Sequence, residues 1–368
     1  MAYDGIQYGQ RVDGTTERKL RASVVDNVLN SPTYFSRILS KGSPFMGKTE
    51  DITVDVVSDN QGEFFTGLEQ LSATAANTTV TLSYAHTAFH QPKVNIMLES
   101  FANAGQTGTI SLDAFKYRKA AAEVLQRFGS AIYADGSANR PLGLGAIVDD
   151  GTSVDSIGGQ SRATYTTLKA TVTSWSTALT LLKMATLHDA VSAAGQSNEE
   201  PNVALGTKTV FSLYDQLLQP SVRAEYSQIG YPQVSVRGNF ASRSDATIRN
   251  GAGFTALTYR NLMLMKDDFA TANTMFMLNE GYYEWMGRTI VPDEWKDKLE
   301  KVNLGTSKVY EGTGAEALDM PSEYNGFFYQ KDLVLPTQAG MVAQFYVIGQ
   351  VVASGFRRSG KGTNVSTV

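Results

Sequence analysis

The segment between residues 49 and 96 constrains this chain more than any other. Ile52, Val54 and Val56 alternate with Thr53 and Asp55, and Val80, Leu82 and Tyr84 alternate with Thr81, Ser83 and Ala85. A period of two marks a strand with one face turned toward apolar neighbours, so the two runs predict a long hairpin. Between them, Asp59–Thr79 is polar and rich in small residues, yet it carries Phe64, Phe65 and Leu68. Connections inside a compact domain usually run to about four to six residues. A connection of this length has little local core in which to bury two phenylalanines. Either it lacks fixed structure or it lies on another molecule.

The flanking segments read as an arm and a strut. Residues 1–14 are polar, with Gly5, Gly9 and Gly14 and no periodicity, which predicts an extended arm. Thr15 and Thr16 then cap a helical stripe of Leu20, Val24 and Val28 that ends at Asn30-Ser31-Pro32, because proline lacks the N–H and disfavours helix before it. Arg11, Arg18, Lys19 and Arg21 give this arm positive charge. Residues 109–135 predict the best helix. Ser111 is its N-cap, Leu112, Phe115, Ala122, Leu125, Phe128 and Ile132 form its stripe, and Asp135-Gly136 is its stop. Such a helix spans roughly 37 Å, long enough to cross a subunit.

Beyond Pro141 the pattern mixes strand and helix. Leu142–Val148 is a short apolar run, and Thr164–Val172 reads as extended. Leu181, Met184, Leu187 and Val191 predict a helix within 176–194. Val203–Leu205 reads as a strand, followed by a helix that Thr207 caps and Pro220 stops. Leu257–Met265, Met275–Asn279 and Phe345–Arg357 read as strands. The expected fold class is α+β, with mostly antiparallel sheets and scattered helices.

The chemistry available to the chain is sparse. Among 368 residues there is no cysteine and there are three histidines, which excludes disulfides, thiolate nucleophiles and cysteine-ligated metals. His86 and His90 lie in a strand-like run, where four residues span about 13 Å, too far for one metal. His188, beside Asp189 on a helix, reads as packing. Asp149-Asp150 and Asp267-Asp268 read as turn acids. The run Gly355–Lys361 resembles a phosphate-binding loop, but Gly362 stands where Ser or Thr is needed and no helix follows, so it reads as a basic, flexible tail. No catalytic, cofactor-binding or metal site is expected. The N-terminus has neither the basic nor the apolar region of a secretory signal, and no apolar stretch reaches the roughly 20 residues of a membrane helix. Net charge is −4, so bulk charge does not direct the chain to nucleic acid. Charged residues are 18%, below the roughly 25% of ordinary soluble domains, which fits a surface largely covered by partners.

Taken in order, these pieces resemble the major capsid protein of tailed bacteriophages, the Hong-Kong-97-type fold shared with encapsulin shells. Gly143-Leu-Gly-Ala-Ile-Val148 followed by Gly158-Gly-Gln-Ser-Arg162 is similar to that family's "GLxxLV … GGISR" run. Ala178–Leu182, Pro201–Thr207 and Phe211–Tyr214 resemble its axial-domain helix, strand and helix. Leu257–Tyr259 through Lys266-Asp-Asp268 and Met275–Asn279 resemble "LxFxGxPVxxDD … MYFLN", and Gly349-Gln350 with Arg357–Lys361 resembles the closing strand and tail. Gln160 departs from a common Ile and Asn261 from a common Gly.

The resemblance implies an N-terminal arm and short helix (1–48) and an extension loop (49–92). It implies a peripheral domain from 93–145 and 331–368 with a spine helix at about 109–135, and a mixed α/β axial domain (146–330). It implies a subunit that assembles as hexamers and pentamers into an icosahedral shell around double-stranded DNA. Phe64, Phe65 and Leu68 would touch a neighbouring subunit, and Arg18, Lys19 and Arg21 would lie on the inner face near nonspecifically held DNA. Partners would be other copies, a portal protein, a separate scaffolding protein and decoration proteins, but no membrane. The location would be a virion capsid assembled in the host bacterial cytoplasm. An encapsulin-like compartment shares the fold and stays open as an alternative, as does a monomeric β-rich enzyme or adhesin.

Overall fold

The computed structural model describes residues 33–39, 42–58, 62–67, 77–102, 112–136, 139–194, 199–225, 256–260, 262–288, 291–296, 298–301, 326–334 and 340–366. Helix α1 (Thr33–Leu39) and strand β1 (Ser43–Phe45) lead into β2 (Thr49–Asp55), β3 (Thr79–Ala85) and β4 (Thr87–Ile96). Helix α2 (Met97–Ala102) precedes α3 (Leu112–Ala131). Then come α4 (Leu144–Ile147), β5 (Ser156–Ile157), β6 (Gln160–Ser161), β7 (Thr171–Ser174) and α5 (Leu181–Ala193). They are followed by β8 (Val203–Gly206), α6 (Lys208–Glu225), β9 (Ala256–Tyr259), β10 (Leu262–Lys266) and β11 (Met275–Leu278). The remaining strands are β12 (Tyr283–Arg288), β13 (Leu299–Lys301), β14 (Phe327–Val334), β15 (Gly340–Ala353) and β16 (Gly360–Thr363).

Two six-stranded sheets organise these elements. The first runs β1-β12-β15-β14-β13, with β4 also paired to β15; the second runs β7-β16-β11-β8-β10-β9. Most pairings are antiparallel; β1–β12, β8–β10 and β7–β16 are parallel. Sheet membership cuts across the segment boundaries read from the sequence: β1 and β12–β14 lie in the first sheet, and β16 lies in the second.

Strands β8, β10 and β11 of the second sheet are buried on both faces, which explains their continuous apolar runs. Val203, Leu205, Met263, Met265, Phe276 and Leu278 join one core, whereas Ala204, Leu262, Leu264, Met275 and Met277 join another beneath α5 and α6. The first core centres on α3, whose Ala121, Val124, Leu125, Phe128 and Ile132 are buried; Leu125, Phe128 and Ile132 belong to the predicted stripe, whose Phe115 and Ala122 are only half-buried. Phe128 stacks on Phe35 of α1 at 5.5 Å, and both rings meet Trp285 of β12 edge-on at 5.7 and 5.6 Å. Offset and edge-to-face pairs suit the aromatic quadrupole, so this trio pins α1 and α3 to the first sheet.

Several expectations are corrected. Leu142–Val148 contains a helical turn, α4, rather than extended chain. Thr164–Val172 includes a 3-10 turn at Thr166–Leu168 before β7 starts at Thr171. Helix α6 continues through Pro220 to Glu225. Leu257–Met265 is a hairpin, β9–β10, reversing at Arg260 with φ +52°. The basic tail is a strand: β16 sits between β7 and β11. Its small residues allow this, since a Cβ at Gly362 would stand 2.5 Å from the Trp175 ring. Residues 109–111, at the start of the expected spine helix, and the helix expected around Leu20–Val28 lie outside the described residues.

Candidate assembly surface

The two period-two runs do form a hairpin. β2 and β3 pair antiparallel from Thr49↔Ala85 to Asp55↔Thr79, a ribbon of about 23 Å by strand rise. On one face, Leu82 and Tyr84 are buried and Ile52, Val54 and Val80 pack against the first core; on the other, Asp51, Thr53, Asp55, Thr79, Thr81 and Ser83 are exposed. Beyond the ribbon, Phe64 is fully exposed and Phe65 more than half exposed. Leu68, Arg18, Lys19 and Arg21 lie outside the described residues.

A second apolar surface escaped the sequence reading. Val94, Ile96, Met97, Leu98, Phe101 and Met341 are all substantially exposed, Leu98 and Phe101 to 73% and 70%. The register of β4 on β15 pairs Val94 with Val342 and Ile96 with Gly340 on one face, whereas Met341, opposite Asn95, lies on the other face at the same end of the sheet. Helix α2 continues the apolar run past the end of β4. Lys116 of α3 braces this corner, donating to the Val94 carbonyl at 3.0 Å and pairing with Glu99. Single exposed apolar residues are ordinary, but a cluster marks an interaction surface. The signal was there: in Val94–Phe101 apolar residues occupy both faces of the strand phase, so some had to point away from the sheet. Leu181 and Leu182, at the start of α5, form a smaller exposed pair.

The acidic and histidine residues singled out in the sequence make contacts within the subunit. Asp149 is buried, and its Oδ2 accepts from the backbone N–H groups of Gly151, Ser153 and Val154 at 3.0–3.1 Å. Its Oδ1 meets Lys361 Nζ at 3.1 Å. Burial pushes its pKa up, but the Val154 N–H, Lys361 and Ser153 outweigh burial and hold it below the usual carboxylate range. Asp150 fits a turn acid, accepting from Thr152 N–H at 3.0 Å. Asp267 accepts from the Tyr34 and Phe269 N–H groups at 2.9 Å, and burial pushes its carboxyl up. Glu280, also buried, forms a forked pair with Arg37 of α1. These acids fasten α1 and β16 to the body of the subunit. His188 is buried on α5, with Nδ1 3.2 Å from Arg260 and Nε2 without a partner. His86 and His90 are exposed. Among the described residues no group of three or more His, Asp or Glu side chains is arranged to hold a metal, and no helix is long and apolar enough to cross a membrane.

No protein-family model and no curated protein matches the chain. Solved structures do. The capsid asymmetric unit of cyanophage A-1(L) matches with a TM-score of 0.62 at 16% identity, covering 96% of this chain and 98% of that one. The chain therefore has the α+β fold of phage capsid subunits, the fold its sequence resembles. The capsid of a native GTA particle matches with a TM-score of 0.56 at 10% identity, covering 100% of both chains. The holo-SrpI encapsulin complex of Synechococcus elongatus matches with a TM-score of 0.56 at 11% identity, covering 100% of this chain and 98% of that one.

Proposed function

We propose that this chain is the major head protein of a tailed phage. Many copies close as hexamers and pentamers into an icosahedral shell around double-stranded DNA, with no catalytic role. The observation that carries this reading is the ribbon with its exposed phenylalanines: a chain with the capsid fold along its whole length holds out apolar groups that its own core leaves unburied. On a neighbouring subunit those groups are removed from water, and the ribbon edges add main-chain hydrogen bonds to a neighbour's sheet. The exposed corner around Leu98 and Phe101 makes a second contact between copies.

In this proposal residues 93–145 and 331–368 form the peripheral part and 146–330 the axial part, with β12 and β13 of the latter completing the first sheet and β16 of the former completing the second. The axial part meets its copies at five-fold and six-fold vertices. Arg18, Lys19 and Arg21 of the arm face the interior, where contact with DNA is nonspecific and salt-sensitive. Portal, separate scaffolding and decoration proteins complete the particle, which assembles in the bacterial cytoplasm.

A second reading is an encapsulin-like compartment, favoured by the full-length likeness to the SrpI encapsulin complex. Deleting Gln61–Ala76 tests what both readings share: the subunit folds but does not assemble. Loss of subunit folding would instead put the loop in the core. Assembly in the native gene context then separates the two readings, since nuclease-protected DNA supports the phage head and packaged protein cargo without DNA supports the compartment.

A further inference from the structure

The run Gly158–Arg162 has no part in the contacts proposed between copies, yet it packs directly against the hairpin. β5 and β6 form a tight two-stranded turn. At its tip Gly158, with φ +55°, approaches β3 so closely that a Cβ there would stand 2.7 Å from the Leu82 Cβ. The Ser83 N–H donates to the Gly158 carbonyl at 3.0 Å, and Gln160 Nε2 donates to the Thr81 carbonyl at 3.2 Å. The other strand is gripped as well: Thr167 Oγ1 donates to the Val56 carbonyl at 2.9 Å. One loop thus holds the ribbon on both strands, at the middle of β3 and just past the distal end of β2.

Arg162 gives this loop its shape. Its side chain is fully buried and donates to four carbonyls, those of Leu168, Val154, Ala146 and Ile147, at 2.7–3.1 Å. The planar fork of a guanidinium suits such a fixed set of acceptors better than an ammonium does. Arg162 also lies 3.8 Å from Asp149, whose other oxygen receives Lys361 of β16.

We propose that residues 156–168, keyed by Arg162, are a bracket that fixes the direction in which the extension hairpin leaves the subunit. Asp149 and Lys361 couple that direction to the C-terminal strand. A two-stranded ribbon is marginal alone in water, so its direction is set by what it packs on: its apolar face lies on the first core, and the bracket fixes the polar and backbone contacts that this face alone does not specify. The consequence for a shell is specific. Copies in different symmetry environments bend the hairpin beyond Asp55 and Thr79, not at its root. This inference rests on the hairpin being the contact between copies.

Hydrogen exchange on unassembled full-length subunits tests the bracket apart from assembly. Gly158→Ala crowds Leu82, and the double variant Gln160→Ala/Thr167→Val removes two gripping bonds without crowding. Both are expected to speed amide exchange in 79–85 at least tenfold while α3 exchanges as in the wild type, and to impair assembly. Lys361→Met is expected to speed exchange in the hairpin several-fold. Wild-type protection of 79–85 in the double variant overturns the bracket, even if Gly158→Ala fails to fold. An unchanged hairpin in Lys361→Met overturns the coupling. A wild-type chain that never assembles overturns the shell reading instead, while the exchange comparison still decides on the bracket.

Discussion

Replacing Phe64 and Phe65 together with serine separates folding from assembly. Phe64 is fully exposed and Phe65 is 57% exposed, so the subunit loses little by their removal, within about 0.5 kcal/mol for surface sites. Between subunits the arithmetic differs. Fully burying a phenylalanine contributes about 1.5–3 kcal/mol, and Phe65 has roughly half of its surface left to bury. The pair then contributes about 2.5–4.5 kcal/mol to each contact, on the order of 10² to 10³ in its equilibrium constant. Because every subunit in a closed shell repeats the contact, the effect on assembly is collective. The assay has two arms: urea denaturation of unassembled subunits, and the concentration at which light scattering detects particles. The expected result is an unchanged urea midpoint with assembly lost at concentrations where the wild type assembles. A variant that assembles at the wild-type concentration refutes the reasoning, as does a midpoint lowered as far as a core truncation lowers it.

Three further outcomes follow from named contacts. Leu98→Asp combined with Phe101→Ser should leave subunit thermal stability within about 0.5 kcal/mol yet reduce the yield of particles in sedimentation; a normal yield removes that corner from the assembly surface. Trp285→Ala should cost the subunit about 3–5 kcal/mol, because the ring is fully buried against Phe35 and Phe128, read as a lower urea midpoint. Asp149 is held below the usual carboxylate range in the folded subunit, so its stabilisation is complete above the unfolded value near 3.9 and is lost as pH falls through the folded value. Acid titration of the wild type should therefore show a loss of stability below about pH 4 that is smaller in Asp149→Asn; identical acid profiles would show that Asp149 does not carry it.

The sequence made some elements legible because their patterns were local. The ribbon strands alternated with period two, and the α3 stripe held helical spacing, so both were readable before any contact was known. Other features depended on partners distant in sequence. The tail around Lys361 looked basic and flexible because the Asp149 carboxylate that pairs with it lies over 200 residues away. Asp149 and Asp267 looked like turn acids, and each does accept from the turn that follows it; their further partners, Lys361 of β16 and the Tyr34 N–H of α1, are distant in sequence. Arg260 broke an apolar run into a hairpin through a left-handed backbone that strand propensity does not reveal. The exposure of the Leu98–Phe101 corner depends on where β15 begins against β4, a register that the local sequence does not reveal. The exposure of Phe64 and Phe65 was readable for a different reason: the residues around them offered no core.

Electron microscopy of the purified chain, expressed with its neighbouring genes, tests the central claim most directly. The account predicts closed shells with five-fold and six-fold clusters, in which the 62–67 segment of each copy lies against a neighbour. A preparation that stays as monodisperse monomers under every assembly condition, or shells in which that segment faces open solvent, contradicts it.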